Sequence, residues 1–262
     1  MKRHFLYMVL FMLGCTQNPT IPVIEPGLNI TCILNADSEV QKVYVNRTYS
    51  ILEPYPQEPE TLWIPSEVKI SSDVQEVVFY ELCYTSTRYH GTRIYKSESL
   101  LVEPGQTYRL EVSFSDSKKV TGETTVPQRP KFVLASGDTV KPEQRLSWES
   151  EGAGGYLIAY KFANLYDPEE DEYWGIEASG ELGIVPSIRF DSLFIEYAQG
   201  YSRFSGGEKV TLWIAALDVN YFDYHQRVKN DEIILPNMYL EGAIGVFGSC
   251  IMSDSTFFVI GE

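Results

Sequence analysis

The sequence predicts an all-β chain folded as two β-sandwich domains in tandem, immunoglobulin-like and then fibronectin-like, behind a short leader. Three observations predict it. From Leu28 to Val126, runs of alternating apolar and polar residues are separated by turn residues. The chain carries 18 Tyr and 13 Phe, residues that favour strands, and almost no 3.6-residue periodicity. The segment VPQRPK at 126–131 sets Pro127 and Pro130 between two β-rich stretches and reads as a stiff linker.

The leader comes first. Lys2 and Arg3 form a basic start, Phe5 to Leu13 an apolar run, and Gly14 a small residue before Cys15. A run this short cannot cross a bilayer, which needs about 20 apolar residues. The leader resembles a bacterial lipoprotein signal peptide, with Met12 where Leu is usual. That resemblance implies cleavage after residue 14, acylation of Cys15 by chains such as palmitate, and a lipidated tether over residues 15–27. Thr16, in place of Asp, directs such a protein to the outer membrane under the enterobacterial sorting rule.

Residues 28–127 form the first predicted domain. Strands are expected at 29–36, 39–50, 67–73, 76–86, 92–99, 107–116 and 118–127. Tyr108, Leu110, Val112 and Phe114 alternate with Arg109, Glu111 and Ser113, the period of a half-buried strand. The SDSK segment between the last two strands reads as a hairpin turn. Seven short strands in about 100 residues is the density of an immunoglobulin-like sandwich. LEPYPQEPETLWIP at 52–65 holds four prolines and is expected to be a loop.

Residues 128–262 form the second predicted domain. RLSWES at 145–150 and GYLIAYKFANL at 155–165 resemble the opening strands of a fibronectin-type sandwich, with Trp148 as its core plug. Further strands are expected at 209–218 and 255–262. VNYFDYHQRVKND at 219–231 places Tyr221, Tyr224 and Val228 on one helical face, which predicts a short helix near 219–229.

Several phrases in order carry a family resemblance: the leader, EPGQTYRLEV (103–112), GETTVPQRPKF (122–132), ALDVNYFDYHQRV (216–228) and GAIGVFGSC (242–250). They resemble uncharacterised, domain-of-unknown-function lipoproteins that Gram-negative bacteria encode beside TonB-dependent outer-membrane receptors. In such proteins a Gly-x-x-Tyr-x-Leu strand and a Thr-x-Pro hairpin end close the first domain, and a Gly-x-Gly-x-Phe-Gly strand ends the second. The family's Asn-Pro-Phe approach to that last strand is reduced here to ILPNMYLEG (234–242). The resemblance implies an envelope location and, as partner, a TonB-dependent receptor.

Chemistry is sparse. A formal charge of −15 argues against nucleic acid and against charge-driven membrane binding, leaving the N-terminal lipid as the membrane attachment. After leader removal the histidines are His90, read as a solvated turn residue, and His225, read as making a local bond to Asp223 or Asp218. There is no GxSxG, HExxH or P-loop motif. The sequence therefore points to a binding protein with no catalytic residue, no cofactor and no metal. DPEEDE at 167–172 lacks the spacing of a calcium loop and reads as a solvated acidic run. With Cys15 acylated, three cysteines remain. Either Cys32 and Cys83 form a disulfide, or Cys32, Cys83 and Cys250 are all buried thiols. Aromatic side chains in expected loops, Trp63, Tyr89, Tyr173, Trp174 and Tyr201, are the binding candidates, since Tyr and Trp offer large rigid contact area. They suit a protein partner, a peptide or a glycan. A surface glycan-binding or adhesion module is thus a second reading, and a carboxylate-dependent glycosidase a third.

Overall fold

Period-2 patterning translates directly into strands in the computed structural model, which describes residues 27–48, 64–82, 92–141, 144–162, 175–179, 187–189 and 209–261. The first half holds β1 (Leu28–Asn35), β2 (Gln41–Arg47), β3 (Pro65–Ser71), β4 (Glu76–Glu81), β5 (Arg93–Ser97), β6 (Thr107–Phe114) and β7 (Lys119–Thr125). Strand β6 buries Tyr108, Leu110, Val112 and Phe114, as its alternation requires. Strand order runs β1-β2-β5-β4 on one side and β3-β6-β7 on the other, joined by the β3–β4 hairpin. This is the strand order of an immunoglobulin-type sandwich. Strands β4 and β5 share only the pairs Tyr80↔Lys96 and Glu81↔Tyr95, so the two sheets part at that corner.

One side chain locks the turn into β6. The Tyr108 ring is fully buried, its hydroxyl donates to Leu101 O at 2.8 Å, and it accepts from Glu103 N at 2.9 Å. This is the tyrosine corner of immunoglobulin-type sandwiches. At the other end of the strand, Ser117 takes a positive φ of 67° in the SDSK turn, and β6 pairs antiparallel with β7.

The second half holds β8 (Lys131–Phe132), β9 (Thr139–Val140), β10 (Arg145–Glu149), β11 (Gly155–Phe162), β12 (Gly175–Ser179), β13 (Ser187–Arg189), β14 (Lys209–Leu217), α1 (Val219–Lys229), β15 (Ile244–Met252) and β16 (Thr256–Ile260). A three-stranded sheet, β13-β10-β8, lies opposite β12-β11-β14-β16. Trp148 on β10 is fully buried and meets Tyr156 of β11 edge-on at 5.3 Å, while Phe132 of β8 meets Phe258 of β16 at 5.7 Å. Trp148 thus sits in the core where the sequence placed it.

The two halves are joined through their sheets. Strand β15 leaves β14 and runs parallel to β1, in register from Asn29↔Ile244 to Asn35↔Cys250, so one 13-stranded sheet passes through both halves. Gly245 makes this possible: its φ is +112°, and a Cβ there would lie 2.0 Å from Ile30 O. The segment expected as a linker is docked, with Val126, Pro127 and Pro130 buried. The Arg129 guanidinium holds Met252 O and pairs with Asp37 at 2.5 Å. Among the described residues, no helix is long and apolar enough to cross a membrane.

Candidate binding cleft at the seam

Helix α1 begins at Asp218, and that residue organises the junction. Its Oδ1 accepts from Tyr221 N at 3.0 Å, which caps the helix, and from Ser249 N of β15 at 2.9 Å. Its Oδ2 accepts from Thr124 Oγ1 of β7 at 2.7 Å. The Thr124 hydroxyl lies 2.9 Å from Ser249 Oγ, which in turn donates to Thr125 O at 3.2 Å. Burial raises the Asp218 pKa above the ordinary carboxylate value, against the lowering effect of the donors from Ser249, Thr124 and Tyr221. Gly248 leaves room for this cluster, because a Cβ there would sit 2.7 Å from Tyr221 Cβ and 2.9 Å from Asp218 Oδ1.

Beside the cluster, the outer edge of β7 is sealed by the second half. Thr125 O accepts from Ser249, Glu123 O accepts from Asn220 Nδ2 at 2.9 Å, and Thr121 exchanges backbone hydrogen bonds with Glu241. An edge strand closed in this way cannot recruit a stray strand. The chain from 237 to 241 wraps this edge. Leu240 packs on the core side, within 2.7 Å of where a Gly122 Cβ would stand, and Asn237, at a positive φ of 60°, accepts from Gly242 N through Oδ1.

Between this wrapping segment and the outward face of β3, β6 and β7 lies an open cleft of about 590 Å³. Ser71, Arg109 and Glu111 form part of its floor, and Asn220, Tyr239 and Glu241 part of its walls. Arg109 pairs with Glu123 at 2.9 Å, and Lys119 with Glu111 at 2.7 Å, holding the Glu111 carboxyl below its usual range. The Tyr239 hydroxyl donates to Asp223 at 2.5 Å, and Asp223 also takes Arg227 at 3.0 Å. That donation holds the Asp223 pKa down, while burial and the carboxylate push Tyr239 up to about 12.

The residues singled out from sequence fall elsewhere. Cys15, Trp63, Cys83, Tyr89, His90, DPEEDE, Tyr173, Trp174 and Tyr201 lie outside the described residues. Cys32 is a fully buried free thiol, its pKa pushed well up by burial, while Cys83, its expected partner, lies outside the described residues. Cys250 is also free, its thiol pushed up to about 12 by burial and by Asp37 and Asp218. His225 makes no bond to Asp223 or Asp218: its Nδ1 is buried without a hydrogen-bond partner, and its ring meets Tyr221 edge-on at 6.5 Å. The expectation failed because Asp218 is spent on the helix cap and Asp223 on Tyr239 and Arg227. No group of three or more His, Cys, Asp or Glu side chains suited to a metal occurs among the described residues.

Sequence reasoning missed Asp218 as a cap, although an Asp directly before a helical segment is an N-cap signal. Nothing local signals the cleft, which depends on which strands become neighbours.

A family model described as "Domain of unknown function (DUF4249)" matches residues 16–253. No curated protein matches the chain. Among solved structures, the chicken CNTN1 FN1-FN3 domains match at 11% identity and a TM-score of 0.25, covering 90% of this chain and 67% of that one. The DIP-gamma IG1+IG2 structure matches at 11% identity and a TM-score of 0.23, covering 91% of this chain and 99% of that one.

Proposed function

The chain belongs to the DUF4249 family of domains of unknown function, and from that premise we propose that it is a non-catalytic, lipid-anchored protein of the outer membrane. It serves as an accessory binding subunit of a TonB-dependent uptake receptor. The observation that carries a binding role is the seam. Two sandwiches are fused through β1 and β15 into a body with an open cleft where they meet. Arg109 and Glu123 engage each other and Glu111 engages Lys119, as in a recognition surface held in shape before its ligand arrives.

Support for the anchor comes from the sequence: a basic and apolar leader ends at Gly14 and Cys15, and the family match begins at residue 16. A family boundary directly after Cys15 fits a leader that is cut off and a mature chain that starts with the lipidated cysteine. The receptor partnership rests on the ordered phrases that resemble receptor-linked lipoproteins.

The test is an affinity pull-down of the lipidated protein from detergent-solubilised outer membrane of its native host, with Cys15→Ala as the anchor control. Near-stoichiometric recovery of a TonB-dependent receptor supports the partnership. Recovery of the protein alone overturns it and leaves a free-standing binding module. An unchanged membrane fraction for Cys15→Ala overturns the anchor.

A further inference from the structure

We infer that the cleft at the seam binds a neutral, polyhydroxylated ligand, a carbohydrate, and not an ion or a charged peptide. The inference rests on the binding role proposed above and supplies its ligand class.

Charge is the first argument. The chain is strongly acidic at −15, yet most of the charge around the cleft is paired. Arg109 is matched by Glu123 and Glu111 by Lys119, while Glu241 accepts from Thr121 Oγ1 at 3.2 Å. An anionic ligand would meet Glu111, Glu123 and Glu241 together. A cationic ligand would find Glu123 and Glu111 already paired with Arg109 and Lys119, and Glu241 engaged by the Thr121 hydroxyl. A neutral ligand disturbs neither pair.

Hydrogen-bond capacity is the second. Asn220 spends its Nδ2 on two carbonyls, Glu123 O at 2.9 Å and Phe247 O at 3.1 Å, leaving Oδ1 as an acceptor. Asn237 spends Oδ1 on Gly242 N at 2.7 Å, leaving Nδ2 as a donor. Arg109 engages Glu123 through Nε, leaving its terminal nitrogens as donors. The Ser71 hydroxyl has capacity of both kinds. Donors and acceptors are therefore mixed around one cleft. A hydroxyl is both at once, with one donor proton and two acceptor lone pairs, so a ligand bearing several hydroxyls satisfies the set. An ammonium cannot serve the donors, and a carboxylate or phosphate cannot serve the acceptors.

Rigidity is the third. Tyr239 is held by Asp223 through its hydroxyl and meets Tyr224 edge-on at 6.0 Å, which makes it a fixed aromatic surface among polar groups. Asn220 is tied to two strands, and Arg109 stands on β6. A site whose polar groups are held beforehand loses less entropy on binding.

The test is a glycan array of plant, microbial and host oligosaccharides probed with the lipidated protein in a detergent without a sugar headgroup. The best ligand is then titrated against wild type and the double variant R109A/N237D, with circular dichroism to confirm folding. Both changes fall on exposed positions, and Asp at 237 keeps the acceptor for Gly242 N. The expected result is saturable binding that weakens about tenfold or more in the variant, the scale of one or two lost hydrogen bonds. It should change less than about twofold between low and high salt, as a neutral ligand requires. An array without signal, binding unmoved by the double variant, or preferential and salt-sensitive binding of an oligolysine peptide each overturns the inference. Loss of the receptor in the pull-down overturns the partnership alone, so the two failures are distinguishable.

Discussion

Thr124 and Asp218 are 94 residues apart in sequence, yet the Thr124 hydroxyl donates to the Asp218 carboxylate at 2.7 Å in the interior where the two sandwiches meet. The bond ties the last strand of the first half to the start of the helix in the second. Removing it leaves a buried carboxylate oxygen short of a donor.

Thr124→Val should therefore cost about 1–3 kcal/mol, the penalty for orphaning a buried polar group. Asp218→Ala should cost more, since Tyr221 N loses its cap and Ser249 N its acceptor at the same time. Urea unfolding followed by tryptophan fluorescence checks both. A Thr124→Val midpoint equal to wild type contradicts the tie.

The raised pKa of Asp218 sets a pH dependence with an unusual sign for a carboxylate. The folded state binds this proton more tightly than the unfolded chain does, because burial disfavours the charged form. The group's contribution is fully present below the unfolded carboxylate value of about 4 and is lost as pH rises through the folded value. Melting temperatures across that window should show wild type losing stability, relative to Asp218→Asn, as pH increases. A difference that grows in the opposite direction counts against the buried, proton-retaining carboxylate.

Tyr108→Phe keeps the buried ring and removes only the corner, leaving Leu101 O and Glu103 N without the hydroxyl. The expected loss is about 1–2 kcal/mol with an unchanged denaturant slope. Stability equal to wild type would mean that water replaces the hydroxyl at no cost.

Gly245→Ala tests the joint between the halves. The new Cβ meets both a positive φ and Ile30 O, so β15 must pull away from β1 for the substitution to be accommodated. Faster proteolytic cleavage near the docked segment 126–131 and a lower melting temperature are expected. Wild-type protease resistance would show that β1 and β15 tolerate separation.

Much of the fold was legible from residue order. The alternation around Tyr108 placed β6, the tryptophan in RLSWES placed the core plug, and the Tyr-rich run placed α1 at residues 219–229. Strand β15 was harder. IGVFGSCIM is nearly continuous in burial, without the polar alternation that marks a one-sided strand, because it is covered by β1, β7 and α1 together. The short β8 and β9 offer only two residues each, too few for any period to register.

The sequence by itself determined the all-β class and most strand positions, because these follow from local composition and from a period that neighbouring residues write together. The tertiary structure alone decided the seam. The parallel partnership of β1 with β15, the Thr124–Asp218 bond and the cleft walled by residues 237–241 depend on contacts between segments about 100 or more residues apart. No local pattern encodes such contacts. They are fixed by which edges remain unpaired once each sandwich has formed and by the free-energy cost of leaving those edges and a buried carboxylate unsatisfied.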